Sequence, residues 1–126
     1  MRYAFAAAVL ACSSPAVATG GFECRPVSGT GPVLTIGVGH AVAARPFNVT
    51  LREGSHTLST QGPRAALEIG QSWIDARYLW LDLTDAGANR FEAKLRTTFQ
   101  PKLKYRPALG TLVRGGRTYR VRCIEA

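Results

Sequence analysis

From Thr19 onward the chain is written in short runs of alternating apolar and polar residues, divided by turn residues at intervals of about 8 to 15, with no sustained 3.6-residue period. A side chain changes face at every residue of a strand, so each run buries one side and wets the other. This pattern predicts an all-β domain, a small antiparallel β-barrel or sandwich of about eight strands. Phe22 and Cys24 alternate with Glu23 and Arg25, while Leu34, Ile36 and Val38 share one face. Phe47, Val49 and Leu51 share another, opposite Asn48, Thr50 and Arg52. Phe91, Ala93 and Leu95 stand opposite Lys94 and Arg96.

Turn chemistry divides the runs. Glu53-Gly54-Ser55 reads as a three-residue connection, and Asp85 to Asn89 separates two strong runs, with Asp85 beginning the turn. Gly115-Gly116 is the clearest signal, because a two-residue primed turn needs positive φ at both positions. It sets the register so that Leu112 faces Tyr119 and Gly110 faces Val121, with Tyr119, Val121 and Cys123 turned inward. The segment from Pro63 to Asp75 fits either a strand or a short helix; the alternation of Leu67 and Ile69 and the presence of Gly70 favour the strand, with Trp73 in the core.

The first 18 residues follow a different rule: a basic start, an apolar run from Tyr3 to Ala11, and small residues at Ala16 and Ala18. They read as a secretory signal cleaved after Ala18, too short to span a bilayer, followed by a single β domain over 19–126. The alternative is a lipoprotein box, Val9-Leu10-Ala11-Cys12, that would leave Cys12 lipidated. Cleavage after Ala18 leaves two cysteines, Cys24 and Cys123, at opposite ends of the chain. In an exported domain such a pair predicts one disulfide. Export in turn suggests a periplasmic or secreted bacterial protein with no transmembrane span.

The charge is strongly basic, 16 Lys and Arg against 8 Asp and Glu, and becomes +7 when Arg2 leaves with the signal. Lys94 and Arg96, then Lys102, Lys104 and Arg106 opposite Leu103 and Tyr105, then Arg120 and Arg122, read as seven cations pointing out of three consecutive strands, with Glu92 offsetting one of them. Such a face suits lipopolysaccharide, a lipid head group, an acidic polymer or an acidic protein. Its plainer reading is a solvated outer face that blunts edge pairing. Nucleic acid is disfavoured by export and by the lack of a recognition-helix or aromatic-platform signature. Tyr78, Trp80 and Asp82 form a second candidate face, since Leu79, Leu81 and Leu83 already supply the apolar side of that run; if exposed, Trp80 near Tyr78 makes a flat anchoring surface, and the plainer reading is a side that lies under a covering loop.

No residues are expected to be catalytic. Both cysteines are committed, no Ser stands in a Gly-x-Ser-x-Gly elbow, and Asp82 and Asp85 alone do not make a paired-carboxylate site. Neither a cofactor nor a metal is expected: Gly37-Val38-Gly39 lacks the third glycine of a dinucleotide loop, having Val42 there, and His40 and His56 stand apart in turn-like contexts. The expectation is a non-enzymatic periplasmic binding or structural module that contacts an anionic envelope component through its cationic face. The alternative is a periplasmic protein inhibitor, in the general manner of the small exported barrels that block lysozymes.

Overall fold

A computed structural model describes residues 19–40 and 44–126, and within them the chain forms nine strands and no helix. The expected signal segment, its cleavage after Ala18 and the alternative lipidation of Cys12 lie outside the described residues. The strands are β1 (Thr19–Pro26), β2 (Val33–His40), β3 (Ala44–Glu53), β4 (His56–Ser59), β5 (Leu67–Ile74), β6 (Tyr78–Asp85), β7 (Phe91–Phe99), β8 (Ala108–Arg114) and β9 (Arg117–Glu125). They make one antiparallel sheet in the order β4-β3-β2-β1-β9-β8-β7-β6-β5, and β3 comes alongside β5, so the sheet curls into a nearly closed barrel. The seam therefore lies between sequence neighbours, β4 and β5, while the first and last strands of the domain pair with each other.

The period-2 pattern fills the barrel. Cys24, Leu34, Ile36, Val38, Val49, Leu51, Leu67, Leu79, Leu81, Leu83, Leu95, Leu112 and Val121 are all buried in one cluster, with Phe22 and Tyr119 packed against it. Cys24 and Cys123 are directly opposed across β1 and β9 and are joined as a disulfide. The amide of Val27 donates to the Arg120 carbonyl and that of Ala126 to the Gly21 carbonyl, so the cysteines fall at a position between hydrogen-bonded pairs, where side chains approach most closely. The bond is compatible with an extracytoplasmic location, since disulfides persist in oxidising compartments.

The β8–β9 hairpin has the expected register, with Leu112 opposite Tyr119 and Gly110 opposite Val121. Gly115 and Gly116 have φ of 57° and 74°, the left-handed pair that a primed turn requires. Gly110 serves a different need: a Cβ there would collide with the Arg96 carbonyl and the Thr97 backbone on β7, so β8 lies this close to β7 only without a side chain. The segment from Pro63 to Asp75 contains a strand, β5, not a helix.

Five readings are corrected. The β3–β4 turn is two residues, Gly54-Ser55, because Glu53 itself pairs with His56. Phe47 is exposed, not inward, because the β2–β3 register slips between Gly37 and Val38 and leaves it without an opposing residue. Phe91 is exposed for the same kind of reason: a bulge between Leu83 and Thr84 pairs Phe91 with Thr84, and Glu92 becomes the extra residue. Trp73 is exposed, because a third irregularity, between Ile69 and Ser72, pairs it with outward-facing Trp80. Finally, 100–107 is a loop of turns and bends between β7 and β8.

Candidate functional site

The seven expected cations do not form one face of three consecutive strands. Lys94 and Arg96 lie on the outer side of β7 and Arg120 and Arg122 on that of β9, with β8 between them. Thr111 stands opposite both Arg96 and Arg120, and Leu109 opposite Arg122. The intervening strand holds the two rows of charge about 10 Å apart, which removes most of the cross-strand repulsion that adjacent rows would suffer. Two direct like-charge pairs stand elsewhere: Arg25 against Arg122 across β1 and β9, where Glu23 accepts from Arg25 Nη2 at 2.6 Å, and Arg114 against Arg117 across β8 and β9, where Glu92 binds Arg114. Glu92 offsets none of the seven; it binds Arg90 and Arg114.

Lys102, Lys104 and Arg106 belong to the 100–107 loop, so no strand periodicity orders them. The loop closes on itself: the Gln100 amide donates to the Pro107 carbonyl at 2.9 Å, Leu103 donates to Gln100 and Arg106 donates to Leu103. Tyr105 and Arg106 both take positive φ, 66° and 44°, an uncommon pair for residues with side chains. The result is an end of the barrel on which Leu103 is 51% and Tyr105 73% exposed, with all three cations at the surface beside them. Lys104 Nζ lies 5.0 Å from the Tyr105 ring centre. Beneath the loop opens a cavity of about 740 Å³, lined chiefly by Phe22, Ile74, Phe99, Pro101, Leu103 and Tyr105, with Arg106 at its wall and Asp75 and Glu125 also present. Tyr105 borders a second recess with Arg25, Val27, Arg122 and Ile124, which brings the loop beside the cations of β1 and β9. Among the described residues no carboxylate forms an ion pair with Lys102, Lys104, Arg106, Arg120 or Arg122.

Tyr78 and Trp80 are together on the outer side of β6, their ring centres 4.8 Å apart. Trp80 is 38% exposed and Trp73, directly across from it on β5, is 60% exposed. Arg96 lies over Trp80 at 5.5 Å, donates through Nη1 to the Leu95 carbonyl, and sets Nη2 2.9 Å from Asp82 Oδ1. Asp82 is only 6% exposed although it points outward, since the glycine-containing irregularity of β5 packs over it. The Trp73 indole N–H donates to Asp75 Oδ2 at 2.8 Å, and Asp75 Oδ1 accepts the amides of Arg77 and Tyr78, each at 2.7 Å. These donors, the Trp73 indole first, hold the Asp75 carboxyl below its ordinary value. Sequence reasoning placed Asp82 in this patch but missed Trp73, Asp75 and Arg96, and with Arg96 the ion pair to Asp82. The signal was present in Asp75-Ala76-Arg77: a two-residue turn starting at Asp75 places Trp73 opposite Trp80.

Among the described residues no group of three or more His, Cys, Asp or Glu side chains is placed to hold a metal ion, and no helix is long and apolar enough to cross a membrane. The fold and these two surfaces define a class, a disulfide-bonded antiparallel barrel with a cationic, apolar-tipped end and a separate aromatic patch on its wall. Neither a protein-family model nor a curated protein nor a solved structure matches the chain.

Proposed function

We propose that the protein is an exported, non-enzymatic binding module that contacts an anionic lipid surface of the cell envelope, the lipid of a lipopolysaccharide included, through its 100–107 loop. The observation that carries this reading is the pairing of exposed Leu103 and Tyr105 with three cations that have no carboxylate partner among the described residues. Apolar tips of this kind enter the boundary between head groups and acyl chains, while Lys and Arg stems reach back to the phosphates. Arg122, beside Tyr105, extends the same positive end, while Arg25 there is paired with Glu23. A simple acidic polymer would use the cations and leave the two apolar side chains idle, which is why a lipid surface fits better.

Each Lys or Arg near an anionic surface contributes about 1 kcal/mol, so Lys102→Ala/Lys104→Ala is expected to weaken binding about thirtyfold. The test is cosedimentation with anionic and with purely zwitterionic vesicles across a salt series from about 50 to 500 mM, over which the Debye length shrinks from roughly 14 to 4 Å. Binding to the anionic vesicles alone, falling steeply with salt, is the expected result. No retention on anionic vesicles at the lowest salt rejects the proposal.

A further inference from the structure

The aromatic patch on β5, β6 and β7 is left unused by a cationic end, and its construction is that of a site rather than a stray exposed side chain. Both rings are held before any ligand arrives: Trp73 by its bond to Asp75, Trp80 between Tyr78 and Arg96. A fixed ring loses little conformational freedom on binding, so its contact area converts more fully into affinity. Beside the rings lies a shallow recess of about 350 Å³ lined by Gln71, Ser72, Trp73, Trp80, Asp82 and Arg96. In its wall, the enclosed Asp82 Oδ1 lies 2.9 Å from Arg96 Nη2, an ion pair that fixes the guanidinium at the edge of the recess.

We propose that this recess is a carbohydrate-binding site for a neutral, pyranose-containing glycan. A pyranose ring has a face of C–H groups, slightly positive, which suits the electron-rich face of an indole, and an edge of hydroxyls that donate and accept. Trp73, the more exposed ring, supplies the stacking face, with Trp80 at its flank; Arg96, Gln71 and Ser72 offer the polar contacts to the sugar hydroxyls. The recess selects a neutral ligand because Asp82 and Arg96 cancel each other's charge at its wall. An apolar patch of another protein is the competing occupant, since Trp, Tyr and Arg are the side chains that anchor interfaces. It fits less well, because apolar side chains seated over the recess would cover Gln71, Ser72 and Arg96 without giving them hydrogen-bond partners.

Trp73 and Trp80 are the two tryptophans of the whole chain, so its tryptophan emission reports this patch directly. The experiment titrates the purified protein with cello-, malto-, xylo- and chito-oligosaccharides at high salt, where contacts made by the cationic end are screened. A saturable change in emission with at least one of the four is the expected result. Calorimetry with that oligosaccharide should then find Trp80→Ala weakened at least about tenfold and Trp80→Phe weakened less, with both variants still melting cooperatively as folded proteins. Silence from all four at millimolar concentration overturns the proposal, as does a Trp80→Ala variant that binds as well as the parent. Loss of a captured protein by Trp80→Ala, with every sugar silent, overturns it in favour of a protein interface.

Discussion

Glu92 is the extra residue of the β6–β7 bulge, and the bulge gives its carboxylate two guanidinium partners at once. Arg90 Nε donates to it at 2.8 Å and Arg114 Nη1 at 2.6 Å; Arg114 Nη1 also donates to the Glu92 carbonyl and its Nε lies 3.8 Å from Glu53. One side chain thus ties β7 to β8 and brings the end of β3 into the same network. The Arg90 hydrogen bond foremost, and then that of Arg114, hold the Glu92 carboxyl below its ordinary value of 4.5 against the opposing effect of burial. Because the folded protein binds this proton more weakly than the unfolded chain, the stabilisation is complete above pH 4.5 and is lost as pH falls through the lower folded value. Glu92→Gln should therefore cost about 1 kcal/mol at neutral pH, a figure kept low because Arg90 is largely exposed. The gap in denaturant midpoint between parent and variant should narrow as the pH is taken below 4.5. A gap that stays constant with pH would mean that the carboxylate charge contributes nothing.

At the scale of elements, what the sequence discloses depends on whether a turn carries its own chemistry. The β8–β9 hairpin does: Gly115 and Gly116 have left-handed φ, and a Cβ on either would meet nothing within 4 Å. Backbone strain is then the whole cost of a side chain there. Gly115→Asn, which suits the first position of a primed turn, should be nearly neutral, and Gly116→Val should lose about 2 kcal/mol in chemical denaturation. Equal behaviour of the two would show that the glycines are not needed for their conformation. The 100–107 loop carries no such chemistry. Its Lys-Leu-Lys-Tyr-Arg alternation is what a strand would have, and only Pro101 and Pro107, which lack an N–H for a ladder, argue otherwise. Its left-handed residues are Tyr105 and Arg106, which announce nothing. Phe47, Phe91 and Trp73 were illegible for a related reason: each is turned outward by an irregularity in pairing with a neighbouring strand, and a single run does not record its partner's register.

At the scale of the whole molecule, the inner faces of the strands and the joining of Cys24 to Cys123 were readable, whereas the place where the barrel opens was not. Nothing local in 60–66 distinguishes a connection that crosses the seam from an ordinary hairpin; the seam follows from β1 pairing with β9. That pairing joins residues 99 apart and is the one junction in the sheet that no short connection maintains. Its ladder spans only Phe22 to Pro26 against Val121 to Glu125, so the disulfide at its centre holds the barrel where chain connectivity does not. Closing a loop of this size restricts the unfolded chain by roughly 4.7 kcal/mol in the chain-entropy account, with measured effects nearer 2 to 4. Cys24→Ala/Cys123→Ala, which leaves no buried hydroxyl or free thiol to confuse the comparison, should accordingly lower the melting temperature by about 10 to 20 °C. The parent melted in reductant should move toward the variant, and the variant should be indifferent to reductant. If the variant instead melts with the oxidised parent, the β1–β9 ladder is sufficient by itself and the closure of the barrel owes nothing to the bond.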